Sequence, residues 1–252
     1  MTQQHRIVVI TGASSGIGAA LAELLASNGT TVVMVARRAH VLKEVAQRCG
    51  ANAHAIAADV TRREDVRRVV AETLQRFGRI DVWVNNVGQG ITRMPSQLTD
   101  EDVDAMIEAN VKTALYGMQE VLPHFKERNA GHVLNISSML GRLPLAVQRS
   151  AYSGAKHFLN SITANFRDEF RQSHPGIRFS IVSPPAVPTN FGLNALHGGV
   201  DSRALPDTQP IGEVARVIAS VIESRAPDVY TRPGSVERVV KYFGTLSIDP
   251  PG

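Results

Sequence analysis

The sequence contains one cysteine in 252 residues, Cys49, which rules out an internal disulfide framework and a cysteine-ligated zinc site. That usage fits a reducing, cytoplasmic setting. No apolar run is long enough to cross a bilayer, and residues 1–6 lead straight into a strand-like segment without resembling a secretion signal. Blocks of like charge are missing too: 27 Lys and Arg stand against 23 Asp and Glu, a net charge of +4 spread along the chain. Nucleic acid is therefore not implied. A mild basic excess suits a binder of a polyanionic cofactor and equally an ordinary solvated surface. Linkers, low-complexity tracts and fixed-period repeats are also absent, so residues 1–252 are expected to form a single domain, long enough for one large α/β core.

What is present is an alternation of short β-branched runs with amphipathic helical segments. Strands are expected at 6–10, 31–35, 53–58, 80–84, 131–136, 177–182 and 228–231. Helices are expected from about 19 to 26, over 41–48, from the capping-box pattern Thr61-Arg62-Arg63-Glu64 to Phe77, from Leu98-Thr99-Asp100-Glu101 to about Lys126, from Tyr152 to about Arg171, over 212–225, and over a short terminal segment around 236–243.

Thr11-Gly12-Ala13-Ser14-Ser15-Gly16-Ile17-Gly18 joins the first strand to the first helix. Glycines let the backbone turn tightly and approach a diphosphate, while the helix amides and dipole supply its counter-field. The spacing is Gly-x-x-x-Gly-x-Gly rather than the commoner Gly-x-Gly-x-x-Gly, so a tight turn without a ligand stays open beside nucleotide binding. The second strand ends at Ala36-Arg37-Arg38, without the acidic residue that would bind a ribose 2′-hydroxyl. Arginine there can pair with a 2′-phosphate, which favours NADP over NAD. Arg37 is the first candidate for that phosphate, with Ser14 or Ser15 as neighbouring hydroxyls; the alternative is a solvated start to the next helix.

Three polar groups are expected along the carboxyl edge of the sheet: Asn85-Asn86-Val87-Gly88, Ser137-Ser138, and the proline-rich stop Ser183-Pro184-Pro185-Ala186-Val187-Pro188-Thr189. Asn110 is out of place inside a helix unless it is exposed or its amide has a task. Tyr152 and Lys156 lie one helical turn apart, so phenol and ammonium can converge, and a cation there would lower the tyrosine's pKa for acid/base work. Alone, that pair is equally met by a tyrosine on the core with a lysine in water. The irregular stretch 190–210 has the length of a lid or substrate-binding segment.

Taken in order, the glycine turn, Asp59-Val60, Asn85-Asn86-Val87-Gly88, Asn110, Ser137-Ser138 and Tyr152 with Lys156 resemble the short-chain dehydrogenase/reductase family, over essentially the whole chain. The resemblance implies a doubly wound Rossmann fold with a seven-stranded parallel sheet. It implies catalytic roles for Asn110, Ser138, Tyr152 and Lys156. Tyr152 would be the proton donor or acceptor, Ser138 would bond the substrate oxygen, and Lys156 would hold the nicotinamide ribose and lower the phenol's pKa. Asn110 would hold a water that links the lysine to solvent. For NADP(H) it implies Gly12, Ser14, Ser15, Gly16, Ile17, Gly18, Arg37, Arg38, Asp59, Val60, Asn86, Gly88, Tyr152, Lys156, Pro184, Val187 and Thr189. A homodimer or homotetramer through the Asn110 and Tyr152 helices is implied as well. The chain departs from the family at Pro185 where glycine is usual, at Val87 where alanine is usual, and by one extra residue between Ser138 and Tyr152.

The expected activity is hydride transfer between NADP(H) and a carbonyl or secondary alcohol of a small or lipophilic molecule. A non-catalytic NADP sensor or scaffold on the same fold is the alternative, and retention of both Tyr152 and Lys156 counts against it. An epimerase or dehydratase of the larger related branch would need a substantial domain after the core, where only a short tail follows Tyr230.

Overall fold

Strand β1 (Ile7–Thr11) is buried throughout, and its neighbours alternate between two apolar layers: Val8 and Ile10 pack on one side, Ile7 and Val9 on the other. β2 (Thr31–Ala36) repeats the pattern, with Val32 and Met34 opposed to Val33 and Val35. Strands apolar on both faces belong inside a sheet covered on both sides. The computed structural model describes residues 6–246 and forms that sheet; the segment before the first strand, residues 1–5, lies outside the described residues. The other strands are β3 (Ala53–Ala57), β4 (Val82–Asn85), β5 (Gly131–Ile136), β6 (Ile177–Ser183) and β7 (Asp228–Tyr230). All pairings are parallel, in the order β3-β2-β1-β4-β5-β6-β7, so the expected doubly wound seven-stranded α/β sheet is present.

Helices α1 (Gly16–Ser27), α2 (Ala39–Cys49) and α7 (Ile211–Ser224) cover one face; α3 (Arg63–Phe77), α5 (Thr113–Arg128) and α6 (Ser150–Ser173) cover the other. α4 (Asp100–Ile107) precedes α5, and α8 (Ser235–Leu246) closes the described chain with Val236, Val240 and Phe243 exposed. No helix among the described residues is long and apolar enough to cross a membrane.

Three elements differ from expectation for local reasons. α1 begins inside the glycine turn, at Gly16, so the turn's own amides form its first turn. The Thr61–Glu64 capping box does not form: Thr61 Oγ1 donates instead to Asp59 Oδ1 (2.9 Å), the Asp65 carboxylate accepts from Asp59 N, and α3 starts only at Arg63. Asp59 thus wins the threonine for a side-chain turn of its own. The long helix expected around Asn110 is two α-helices joined by a π turn, Glu108–Lys112. A π turn widens the helix by one residue, and here that residue set carries Asn110.

The strand order reverses between β1 and β4, which opens a crevice at their carboxyl ends, where doubly wound sheets bind ligands. Under it lies a buried polar network. Trp83 Nε1 donates to Asn85 Oδ1 (2.7 Å), and Asn85 Nδ2 donates to Asn135 Oδ1 (2.8 Å) and to the Ala114 carbonyl (3.2 Å). Asn135 Nδ2 in turn donates to Thr163 Oγ1 (2.7 Å). Gly117 lets α5 approach this closely, because a Cβ there would fall on Asn85 Oδ1 and Trp83 Nε1. Replacing Asn85 by Ala strands the Trp83 indole N–H and Asn135 Oδ1 in the interior. At about 1–3 kcal/mol for each unpaired group, N85A is expected to lose at least about 2 kcal/mol in urea unfolding followed by Trp83 fluorescence.

Candidate active site

The glycine turn is held to the rest of the crevice by Asn86. Its Nδ2 donates to the carbonyls of Thr11 (3.0 Å) and Gly12 (3.3 Å), and its backbone N–H donates to Thr11 Oγ1 (3.0 Å). This leaves no room for side chains on the turn. A Cβ on Gly18 would lie 2.5 Å from both Asn86 Nδ2 and the Gly12 oxygen, and one on Gly12 would lie 3.0 Å from Asn86 Nδ2. Gly12 and Gly16 also have φ of 68° and 57°, which glycine adopts at least cost. Ile17 packs against the core beneath, and Thr189 Cγ2 would stand 3.5 Å from a Cβ on Gly16. A bare backbone at a helix N-terminus, bordered by small polar groups, fits the diphosphate of a dinucleotide.

At the end of β4, Gly88 performs a similar service for two side chains from elsewhere. A Cβ at Gly88 would lie 2.9 Å from Asn110 Oδ1 and 3.4 Å from Lys156 Nζ. Asn110 is fully buried, and its amide clasps one backbone unit from both sides: Nδ2 donates to the Gln89 carbonyl (2.9 Å) while Oδ1 accepts from Gln89 N (3.1 Å). Nδ2 also donates to the Met106 carbonyl (3.0 Å), which satisfies the helix where the π turn loosens it. The task of this mid-helix asparagine is therefore to pin the loop after β4. Gln89 carries no sequence signal because only its backbone takes part.

β5 delivers Ser138 at the same edge, where it begins a short 3₁₀ turn over Met139–Gly141, its Oγ accepting from Leu140 N (3.1 Å). α6 grips that turn: Ser153 Oγ donates to the Leu140 carbonyl (2.5 Å) and Asn160 Nδ2 to the Gly141 carbonyl (2.7 Å). This holds the Ser138 hydroxyl near enough to the Tyr152 phenol to oppose the rise in its pKa. Tyr152 is 6% exposed, with its ring centroid 5.4 Å from that of Phe191. Lys156 is 3% exposed; its Nζ donates to the Ile136 carbonyl (2.9 Å) and lies 5.8 Å from the Tyr152 ring centroid.

The electrostatics correct one expectation. The lysine was expected to lower the tyrosine's pKa, but burial dominates both groups. It pushes Tyr152 up to about 12 against the opposing pull of the Ser138 hydroxyl and the Arg149 cation, and it pulls Lys156 down to about 8. The resting phenol is thus a proton donor.

The remaining residues border the same crevice. Arg38, rather than Arg37, reaches the serines of the glycine turn, with Nη2 3.4 Å from Ser14 Oγ and 3.5 Å from Ser15 Oγ; Arg37 is exposed beside it. Ala58 N bonds the Ala36 carbonyl (3.1 Å), which brings half-buried Asp59 and buried Val60 alongside the end of β2. The carbonyl of Pro184 accepts from Met139 N (2.9 Å), tying the proline-rich stop to the Ser138 turn, and Thr189 N bonds the Val187 carbonyl (2.8 Å). Beyond it, residues 190–210 fold over the 89–93 segment through a bridge between Ile91 and Leu196. Asp102 anchors this cover. Its carboxylate, 3% exposed, takes Arg93 Nη1 (2.7 Å), His197 Nε2 (2.6 Å) and the N–H of Thr99 (3.1 Å), whose hydroxyl accepts from Asp102 N to complete a capping box for α4.

A parallel sheet whose switch point joins a glycine cradle to half-buried Ser138 and buried Tyr152 and Lys156 is an arrangement suited to a nucleotide-dependent oxidoreductase. Residues 6–197 match the family model described as short chain dehydrogenase, and the chain belongs to that family. An uncharacterized oxidoreductase of Staphylococcus saprophyticus is 37% identical over 221 residues, covering 84% of this chain and 90% of that protein. A short-chain dehydrogenase from Sphingobium yanoikuyae in complex with NADPH superposes with a TM-score of 0.81 at 29% identity, over 95% of this chain and 93% of that one. A 3-ketoacyl-(acyl-carrier-protein) reductase from Brucella melitensis complexed with NADH gives 0.79 at 27% identity, over 90% and 97%.

The phenol's environment can be read directly. In an absorbance titration at 295 nm, the wild type and Tyr152→Phe are expected to develop the same phenolate signal up to about pH 11, because Tyr152 holds its proton to about 12. A difference that appears near pH 10 or below would show that the phenol is not desolvated.

Proposed function

We propose that this chain is an NADP(H)-dependent reductase that transfers a hydride to the carbonyl of a small or lipophilic molecule, and catalyses the reverse oxidation of the secondary alcohol. The observation that carries the reading is the Ser138-Tyr152-Lys156 set at the sheet edge beside the glycine cradle, with Tyr152 and Lys156 buried and Ser138 half-buried. When bound, the nicotinamide supplies or accepts the hydride at its C4. Everything else falls to the protein. Tyr152 Oη, kept protonated by burial, gives its proton to the carbonyl oxygen as that oxygen gains charge. The Ser138 hydroxyl donates a hydrogen bond to the same oxygen. Lys156, held by the Ile136 carbonyl, faces the ribose position, and its charge stabilises the phenolate left after proton transfer. Asn110 fixes the loop at Gln89 that forms the far wall. The segment 190–210 closes the substrate side.

The cofactor preference rests on Arg38 near Ser14 and Ser15, with Arg37 beside it, and on the lack of an acidic residue at the end of β2. Asp59 and Val60 border the adenine end; Pro184, Val187 and Thr189 border the carboxamide end. Assembly as a homodimer or homotetramer is part of the proposal, supported by exposed apolar side chains on α4 and α6, Val103 (45%) and Phe158 (52%). A cytoplasmic location is supported by the single free cysteine.

The test is NADPH consumption against a panel of ketones, aldehydes, quinones and 3-oxoacyl thioesters. Turnover is expected with the wild type and is expected to be lost in Tyr152→Phe; cofactor binding without any turnover would favour the sensing alternative. In the same assay Arg38→Ala is expected to raise the KM for NADPH by about tenfold or more while leaving NADH nearly unchanged, the size of one charge-assisted phosphate contact. Equal loss with both cofactors would remove Arg38 from the 2′-phosphate site.

A further inference from the structure

Arg149 immediately precedes α6 and stands three residues before Tyr152, so the two side chains leave the same side of the first turn. Its guanidinium has no hydrogen bond or ion pair among the described residues, and Nη1 is shielded from solvent. Two glycines make room for it. A Cβ on Gly90 would lie 2.5 Å from Arg149 Nη1 and 3.0 Å from Phe191 Cε1; a Cβ on Gly199 would lie 3.1 Å from Arg149 Nη2 and 3.0 Å from Thr92 Oγ1. Thr92 Oγ1 is a second shielded polar atom without a partner. The Phe191 ring that borders the guanidinium also packs on the Tyr152 ring. An unpaired cation and an unpaired hydroxyl thus meet beside the catalytic phenol, under the 190–210 segment.

Arg149 is half-buried, and the Nη1 end of its guanidinium is cut off from water without a counter-charge, which is unfavourable. Burial already weakens the guanidinium's hold on its proton. The nearby buried carboxylate, Asp102, is committed to Arg93, His197 and Thr99. The cofactor's phosphates do not fill the role either: the glycine cradle faces Asn86 and Thr189, and Arg38 lies beyond it, whereas Arg149 borders Tyr152 on the side of Gly90 and Phe191. The missing anion belongs to the substrate side.

We propose that Arg149 binds a carboxylate of the substrate, with Thr92 as a second donor, and that the carbonyl compound reduced here is a short 2-oxo or 3-oxo acid. This rests on the reductase reading above. Side chains at i and i+3 stand about 5–6 Å apart at Cβ, which matches a carboxylate one or two bonds from the reacting carbonyl. The keto carbon takes the hydride, its oxygen takes the Tyr152 proton, and the cofactor leaves oxidised; the carboxylate is unchanged and the product is a hydroxy acid.

The experiment compares pyruvate and acetoacetate with their methyl esters as substrates of the wild type, Arg149→Gln and Arg149→Lys. Alongside, calorimetry measures binding of malonate, a dicarboxylate with no reducible ketone, to the NADPH-loaded wild type, Arg149→Gln and Tyr152→Phe. The wild type is expected to prefer the acids. Arg149→Gln is expected to lower kcat/KM for the acids by about tenfold or more, the size of one charge-assisted contact to a half-buried guanidinium, and for the esters by less than about threefold. Arg149→Lys, which keeps the charge without the planar fork, is expected to fall between. Malonate is expected to bind the wild type and Tyr152→Phe and to fail with Arg149→Gln. Preference for esters in the wild type, equal loss of acids and esters in Arg149→Gln, or malonate binding indifferent to Arg149 would each overturn the proposal while leaving the reductase reading intact. Arg149-dependent malonate binding without turnover of any substrate would sustain the anion site and overturn the reductase reading.

Discussion

The crevice depends on one side-chain amide. Asn86, at the end of β4, donates to the two carbonyls that end β1, and so closes the gap where the strand order reverses. The amide occupies the space that a Cβ on Gly18 would need, so the turn and the asparagine specify one another. From that point the cofactor wall runs outward to Arg38 and the substrate wall runs through Gly88 to Asn110 and Lys156. The sheet places these walls through the parallel register of β1 and β4, from Val8 beside Val82 to Ile10 beside Val84.

Burial sets the chemistry more than proximity does. Tyr152 and Lys156 lie one turn apart, yet the dominant effect on each is the loss of water, which drives their pKa values in opposite directions, toward about 12 and about 8. A phenol that keeps its proton suits reduction. The polar contacts around it come from three separate elements, the 3₁₀ turn after β5, the start of α6 and the loop after β4; side-chain bonds to backbone tie α6 to the 3₁₀ turn and the π turn at Asn110 to the loop. Such bonds fix the frame, and Ser138 Oγ and Lys156 Nζ are themselves each held by one backbone group.

Much of this was legible in the sequence. Strands apolar on both faces, the strand-turn-helix at Gly12 to Gly18 and the Tyr152-Lys156 spacing all follow local rules that the packed structure respects. What was not legible depended on competition or on distance. Thr61 matched a capping box, but Asp59 offered it a shorter-range partner. Arg37 and Arg38 are indistinguishable by type, and which one reaches Ser14 and Ser15 depends on the exit angle of the chain from β2. The π turn at Asn110 follows from a contact to Gln89, whose backbone leaves no mark in a sequence. Arg149 lay at a helical spacing from Tyr152 that could have flagged it, but its lack of a partner is a property of the fold.

Asp102 carries a further consequence. One carboxylate both caps the first turn of α4 and holds His197 of the covering segment, with Arg93 as a shared cation. Lifting the cover removes the His197 bond at one carboxylate oxygen, and with it part of what holds the other oxygen in place to cap the helix start. In hydrogen exchange, the amides of the α4 first turn and of the 192–199 segment would therefore open as one cooperative unit, and a ligand that seals the cover would slow exchange in a helix it never touches.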